Sequence, residues 1–207
     1  MNSYWDKVWE DKCPQAYAKY IDTNRDYTFI RYFKKNNIKN ICDAACGFGK
    51  YSVISKINGL EINGFDVSRH SVKLTKETLE LFNLQYNDYK VCSITDISFD
   101  NDYFDGTIAH SVLDHMSFNS AKKAILELKR ITKPNGLIYM SFDGLEKEDL
   151  EAPHIICNGS FRYTEGKRKG MIFKHYNDEE IKELLKNEEI VLFNKFSNGV
   201  RDVIIKA

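Results

Sequence analysis

The chain has no excess of charge of either sign: 30 Lys and Arg are matched by 30 Asp and Glu, spread along its length. This removes the electrostatic footprint by which proteins hold a nucleic-acid backbone or an anionic membrane surface. A small neutral or mixed-charge ligand is the better expectation. No apolar run is long enough to span a bilayer, and no apolar leader stands at the N-terminus. Cysteine is sparse and unpatterned. The five (Cys13, Cys42, Cys46, Cys92 and Cys157) are an odd number without zinc-ribbon spacing, and Cys42 and Cys46 have no CxxC partner. Buried thiols in a reduced, cytoplasmic protein are expected, with no metal site. Internal repeats and low-complexity linkers are also missing.

What is present is an alternation of short apolar runs with helical spacing. "NRDYTFIRYFKKN" has helical spacing, "KNICDAAC" reads as a strand, and "GKYSVISKI" resumes the helical period behind glycines. "LEINGFD" and "YKVCSI" read as strands around "SRHSVKLTKETLELFN", a helix that Ser68 is placed to cap. "FDGTIAHSVL" is a fourth strand. "NSAKKAILELKRIT" is a helix with Ala121, Ala124, Ile125, Leu128 and Ile131 on one face, stopped by Lys133-Pro134-Asn135-Gly136 before strand "LIYMSF". Such alternation implies βαβ units and a mainly parallel sheet covered on both faces. The C-terminal "EEIVLFNKFSNGVRDVIIKA" breaks the rule, with two β-rich runs around Asn198-Gly199, a strong hairpin signal. The expected fold is therefore Rossmann-like α/β, with a C-terminal antiparallel hairpin. Residues 1–207 read as a single domain, with residues 1–25 as an N-terminal lid segment. Residues 145–176, around the Gly-Lys-Arg-Lys-Gly tract, read as an inserted β-excursion; long insertions often cover a site.

The segment "DAACGFGKYS" (43–52) is a glycine-bearing turn between the first strand and a helix. A phosphate-cradling P-loop needs Gly, four residues, then Gly-Lys-Ser/Thr; here Ala44 replaces the first glycine and Tyr51 the hydroxyl residue. A dinucleotide fingerprint needs glycine at the first, third and sixth places, and Lys50 stands at the sixth. Small residues at the first, third and fifth places (Ala45, Gly47 and Gly49) satisfy a GxGxG spacing instead. Together with "GFDVS", "SITDISF", "FDGTIAHSVLDHM" and "ELKRITKPNGLIYMSF" in that order, the turn makes the chain resemble class I S-adenosylmethionine-dependent methyltransferases of the small-molecule type. The resemblance implies a seven-stranded sheet and S-adenosyl-L-methionine as cofactor.

On that resemblance, Ala45, Gly47 and Gly49 bring the backbone close to the cofactor, and Asp43 holds its methionine end or caps the turn. Ala45 replaces the family's usual glycine, which is tolerated if its φ is negative. Asp66 is placed to accept both ribose hydroxyls, since one carboxylate can take two hydrogen bonds from a vicinal diol; Val67 would pack on the sugar or adenine. Asp96 would accept from the adenine amino group, with a backbone N–H from Ile97 beside it, or would be an acid in a turn. Ser111 lies with His110 at the strand-four edge, where open α/β sheets place ligands.

Methyl transfer from a sulfonium needs alignment, exclusion of water and, for some acceptors, removal of a proton. Asp114 and His115 are the candidates for that proton, though such residues also cap helices. His175 and Tyr176 either line a substrate pocket or simply precede the helix "NDEEIKELLKN". Trp5 and Trp9, four apart on one helical face, either lie over the sulfonium by cation–π attraction or pack on the sheet layer. "YWDKVWEDK" faintly resembles the aromatic lid of thiopurine and halide/thiol methyltransferases. With three prolines (Pro14, Pro134 and Pro153), the chain has no Asp-Pro-Pro-aromatic motif of adenine or glutamine-amide methyltransferases and no Pro-Cys dipeptide of the cytosine type. The expected activity is therefore methyl transfer to an O, N or S nucleophile of a small molecule by a monomer or homodimer, without nucleic-acid or membrane partners. A protein or RNA acceptor, and a non-catalytic S-adenosylmethionine-binding regulator, are the alternatives.

Overall fold

The computed structural model describes residues 4–207. Two short helices, α1 (Tyr4–Trp9) and α2 (Pro14–Ala18), precede α3 (Thr28–Lys35), which buries Phe29, Ile30 and Phe33. The alternating part then runs β1 (Asn40–Ala44), α4 (Lys50–Ile57), β2 (Glu61–Asp66), α5 (Arg69–Leu81), β3 (Tyr89–Val91), β4 (Phe104–Ala109), α6 (Phe118–Ile131) and β5 (Thr132–Phe142). After α7 (Lys147–Glu151) come β6 (His154–Cys157), β7 (Ser160–Tyr163) and β8 (Ile172–Phe173), an antiparallel three-stranded sheet within the 145–176 segment. Helix α8 (Asp178–Leu184) and the hairpin β9 (Glu189–Lys195) and β10 (Arg201–Lys206) complete the chain.

The main sheet has the order β3-β2-β1-β4-β5-β10-β9, parallel through β5 and antiparallel at β10 and β9. Strand side chains alternate between its faces. Ile41, Leu137, Tyr139 and Ile204 join α3, α4 and α5, whereas Cys42, Ile138, Met140, Val203 and Ile205 join α6 and α8. Ser68 caps α5 through its Oγ, which accepts from the Ser71 N–H at 3.3 Å. Helix α6 buries the five residues its spacing singled out.

Two expectations need correction. Lys133-Pro134-Asn135-Gly136 does not lie between helix and strand but inside β5, which starts directly after α6. Pairing of Thr132 with Phe104 and of Ala207 N–H with Gly136 O at 2.9 Å holds it in the sheet, and a register shift against β4 takes up the extra length. Cys42 and Cys46 are buried thiols, but Cys13 and Cys157 are exposed. Among the described residues no helix is long and apolar enough to cross a membrane.

The chain leaves β1 toward β2 on one side and enters β4 on the other. The crevice beyond the carboxyl ends of these two strands is the switch point where open α/β sheets bind ligands.

Candidate active site

A cavity of about 660 Å³ opens at that switch point, within the size range of small-molecule sites. Its floor is the turn after β1. Ala45 has φ +59°, so the condition of a negative φ fails and its methyl group is held in the left-handed region. Gly47 (φ +57°) and Gly49 (φ +85°) follow in the same region. The two glycines serve different ends. A Cβ on Gly47 would stand 3.4 Å from the Trp9 ring, on the cavity side, whereas one on Gly49 would stand 3.1 Å from the Thr75 Cα, between α4 and α5. Gly49 is outside the cavity lining and lets the helices approach.

Polar groups fix the turn. The Gly47 carbonyl accepts from Ser71 Oγ at 2.8 Å and from Thr75 Oγ1 at 3.1 Å. The Gly47 N–H donates to Asp66 Oδ2 at 3.1 Å, and the Ser68 N–H donates to Asp66 Oδ1 at 2.9 Å. The carboxylate so held lines the cavity. Burial raises the Asp66 pKa, opposed by these backbone hydrogen bonds. Val67, 46% exposed, lines the cavity beside it.

Asp43 lines the cavity from the end of β1 and is nearly fully buried. Its Oδ2 accepts from Ser52 Oγ at 2.6 Å, and Ser52 in turn accepts from Tyr89 OH at 2.6 Å. Burial pushes its pKa to about 7 against the pull of the Ser52 hydrogen bond, with the Asp66 charge adding to the rise.

At the end of β4, Ser111 lines the cavity with φ +46°, held by Ser141 Oγ on its N–H at 2.9 Å and by its own Oγ–H on Asp143 Oδ1 at 2.7 Å. His110 also lines the cavity, stacked on Tyr51 with ring centroids 4.2 Å apart. Its pKa is pushed down to about 3, first by burial and then by Lys50 and Arg25.

The far wall departs from expectation. Asp96 is exposed and outside the lining, because the turn bridging Ser93 and Asp96 points it away. The Ile97 N–H is spent on Glu127 Oε2 at 2.8 Å, so it has no hydrogen to offer an adenine. Ser93, Ile94 and Thr95 form the lining there instead, with the Ser93 and Thr95 hydroxyls 2.9 Å apart.

A second cavity of about 790 Å³ lies between α1 and the 145–176 segment. Trp5 and His115 line both cavities, and Trp9 lines the first. The His115 Nδ1 stands 3.1 Å from the Ile172 carbonyl. A carbonyl can only accept, so Nδ1 carries the proton and the neutral ring keeps its lone pair on Nε2. Burial lowers the His115 pKa.

Asp114, His175 and Tyr176 stand apart from both cavities. Asp114 is fully buried, its Oδ2 accepting from the Asp143 N–H at 3.1 Å; burial, then the Asp143 charge, raises its pKa well above the usual range. It ties the turn after β4 to the end of β5 and does not reach a substrate. Tyr176 is buried in the α6–α8 core, and neither its hydroxyl nor the His175 Nδ1 has a hydrogen-bond partner among the described residues. Tyr176 packs inward beneath α8, and His175, half-buried beside it, lines neither cavity. Tyr51 and Lys50 were not assigned from sequence, whereas His110 lies at the strand-four edge where the sequence placed it.

A methyltransferase-domain family model matches residues 42–140, the stretch from β1 to β5 that builds this site. A tRNA (carboxymethyluridine(34)-5-O)-methyltransferase of Arabidopsis thaliana is 30% identical over 110 residues, 53% of this chain and 25% of that protein. Among solved structures, a Methanosarcina mazei protein titled a SAM-dependent methyltransferase superposes with TM-score 0.71 at 21% identity, over 87% of this chain and 97% of the other. Magnesium protoporphyrin IX methyltransferase of Synechocystis, crystallised with bound S-adenosylmethionine, gives 0.64 at 16% identity, over 98% and 89%. The chain is thus similar, over just under half of its length, to the methyltransferase-domain family, and it shares the fold of class I S-adenosylmethionine-dependent methyltransferases. It spans between 25% and 41% of the length of the curated relatives it matches.

Proposed function

We propose that the chain transfers a methyl group from S-adenosyl-L-methionine to an O, N or S nucleophile of a small molecule. The observation that carries this reading is the meeting of two cavities at His115 and Trp5, the first of them built by the glycine turn, Asp43 and Asp66. The residues present fit the donor. Asp66 keeps acceptor capacity for a vicinal diol, Gly47 leaves backbone bare beneath Trp9, and Asp43 offers a carboxylate near a cationic methionine end.

S-adenosylmethionine, when bound, supplies an electrophilic methyl group on a sulfonium. The protein's part is to orient, to exclude water and to move one proton. Trp5 and Trp9 cover the site with aromatic faces that favour a cation. His115 Nε2 accepts the proton of the attacking O–H, N–H or S–H group as the new bond to carbon forms.

The test is calorimetric titration with S-adenosylmethionine and S-adenosylhomocysteine, with NADH, ATP and Asp66→Ala as controls, followed by labelled-methyl transfer to a panel of thiols, amines and phenols. Binding of the first two, lost in the variant, together with a labelled product supports the reading. Binding of NADH or ATP alone overturns it. A second reading, an RNA acceptor, is favoured by the tRNA-methylating relative, and labelled-methyl transfer to unmodified tRNA separates the two.

A further inference from the structure

The second cavity has walls from segments far apart in sequence. Helix α1 and the residues after it supply Lys7 and Lys12, and the turn Gly166–Arg168 supplies Lys167 from the opposite side. The walls touch where Tyr4 OH donates to the Lys167 carbonyl at 3.4 Å. Trp5, Met171 and Phe173 give the same cavity an apolar side that leads to His115.

Its charges are not evenly engaged. The Asp149 carboxylate accepts from Arg168 and from the Glu146 N–H, and the Glu146 side chain in turn accepts from the Asp149 N–H. Asp143 accepts from Ser111 Oγ. Lys7, Lys12 and Lys167 have no ion pair among the described residues; of the carboxylates around them only Asp149 is paired with a cation, and Asp143 and Glu146 accept from neutral donors. All three lysines are exposed, and they outnumber the two cavity carboxylates that lack a cation, so positive charge is in excess and an anion is the occupant that offsets it.

We infer that the methyl acceptor of the proposed transfer is a small molecule with an apolar or aromatic body and an anionic group, carboxylate or phosphoryl. It lies in the second cavity with its charge among Lys7, Lys12 and Lys167 and its nucleophile at His115. This rests on the methyltransferase reading for the role of the site, but not for the presence of an anion subsite.

The experiment is calorimetric titration of the full chain, saturated with S-adenosylhomocysteine, with benzoate, phenyl phosphate and indole-3-acetate. Benzamide, phenol and indole-3-acetamide are the neutral counterparts, and benzylamine the cation. At least one anion should bind about 10-fold or more tightly than its neutral counterpart, a preference that shrinks as salt rises. In Lys7→Gln/Lys12→Gln/Lys167→Gln the preference should fall to about 2-fold or less, with the S-adenosylhomocysteine titration unchanged, because exposed charges act locally. The inference is overturned if no anion exceeds its neutral counterpart, if benzylamine is favoured, or if the preference survives in the triple variant. Displacement of the anion by tRNA at lower concentration than by the free anions would replace the small acceptor with RNA. If S-adenosylhomocysteine does not bind, the methyltransferase reading fails by itself, and the anion titrations of the free protein still decide the subsite.

Discussion

The His115 imidazole stands edge-on to the Trp5 indole, ring centroids 4.7 Å apart at 67°, and these two residues line both cavities of the site. Trp5 belongs to α1 and His115 to the turn after β4, so the partition between the two cavities is assembled from two ends of the fold. Nδ1 of His115 is tied to Ile172 of the inserted sheet, which leaves Nε2 as the basic atom.

If Nε2 takes the acceptor's proton, the rate of methyl transfer should rise with pH and level off below pH 6.5, the ordinary histidine value from which burial lowers this one. His115→Gln should remove that limb and lower kcat by about 10²-fold or more, the usual range for a general base. A pH–rate profile of both proteins at saturating donor checks this. An unchanged limb in the variant would assign the proton to another group.

Asp43 should make the ligand-free protein more stable in acid. Its folded pKa of about 7 lies above the ordinary 3.8, so the folded state holds a proton that the unfolded chain has released. That contribution is fully present below about pH 4 and is lost as pH rises to about 7, amounting to about 4 kcal/mol at about 1.4 kcal/mol per pKa unit. Denaturant unfolding of wild type and Asp43→Asn across this range should give curves that diverge above pH 4, with the variant the more stable at pH 8. Donor affinity should show the opposite trend, rising with pH through about 7 as the carboxylate ionises beside a cation. Asp43→Asn should flatten that rise.

The alternation of β1 to β5, the Asn198-Gly199 hairpin and the cap at Ser68 are local patterns, and each is legible because periodicity or a turn residue determines it. The near wall of the first cavity was legible for the same reason, since Asp43 and Asp66 lie at strand ends and Gly47 in the intervening turn. The far wall was not. Glu127, on α6, takes the Ile97 N–H, and Arg130 donates to the Ile97 carbonyl at 2.7 Å. This partnership across about thirty residues leaves no mark on the spacing of "SITDISF". Tyr176 stayed open between two readings because an aromatic ending an insertion reads alike whether it faces a cleft or a core; α8 packing on α6 sets the direction.

The three small residues of the turn should separate by substitution. Ala45 at φ +59° is strained by about 1–2 kcal/mol, and Ala45→Gly should return about 0.5–1 kcal/mol after glycine's greater entropy loss. Gly49→Ala should destabilise by about 2 kcal/mol or more, since its methyl would stand 3.1 Å from the Thr75 backbone at φ +85°. Gly47→Ala, whose methyl meets the Trp9 ring at 3.4 Å, should lose donor affinity out of proportion to stability. Urea unfolding paired with donor titration resolves the three. Equal stability losses for Gly47→Ala and Gly49→Ala would place both in packing.

Tyr176→Phe should stabilise the protein and leave methyl transfer unchanged. The ring is fully buried against Phe142 at 5.3 Å between centroids, and phenylalanine keeps that contact and the Lys174 ammonium 4.9 Å over the ring. What is removed is a hydroxyl that is buried without a hydrogen-bond partner among the described residues. Leaving such a group unsatisfied costs about 1–3 kcal/mol, so its loss should raise the melting temperature by about 2–12 °C for a domain of this size. A rise in acceptor KM would instead return Tyr176 to the substrate pocket, and a fall in melting temperature would mean that a water or the nearby Asp114 carboxyl satisfies the hydroxyl in solution. The measurement therefore distinguishes a core residue from a recognition residue by the sign of one thermal shift read alongside one kinetic constant.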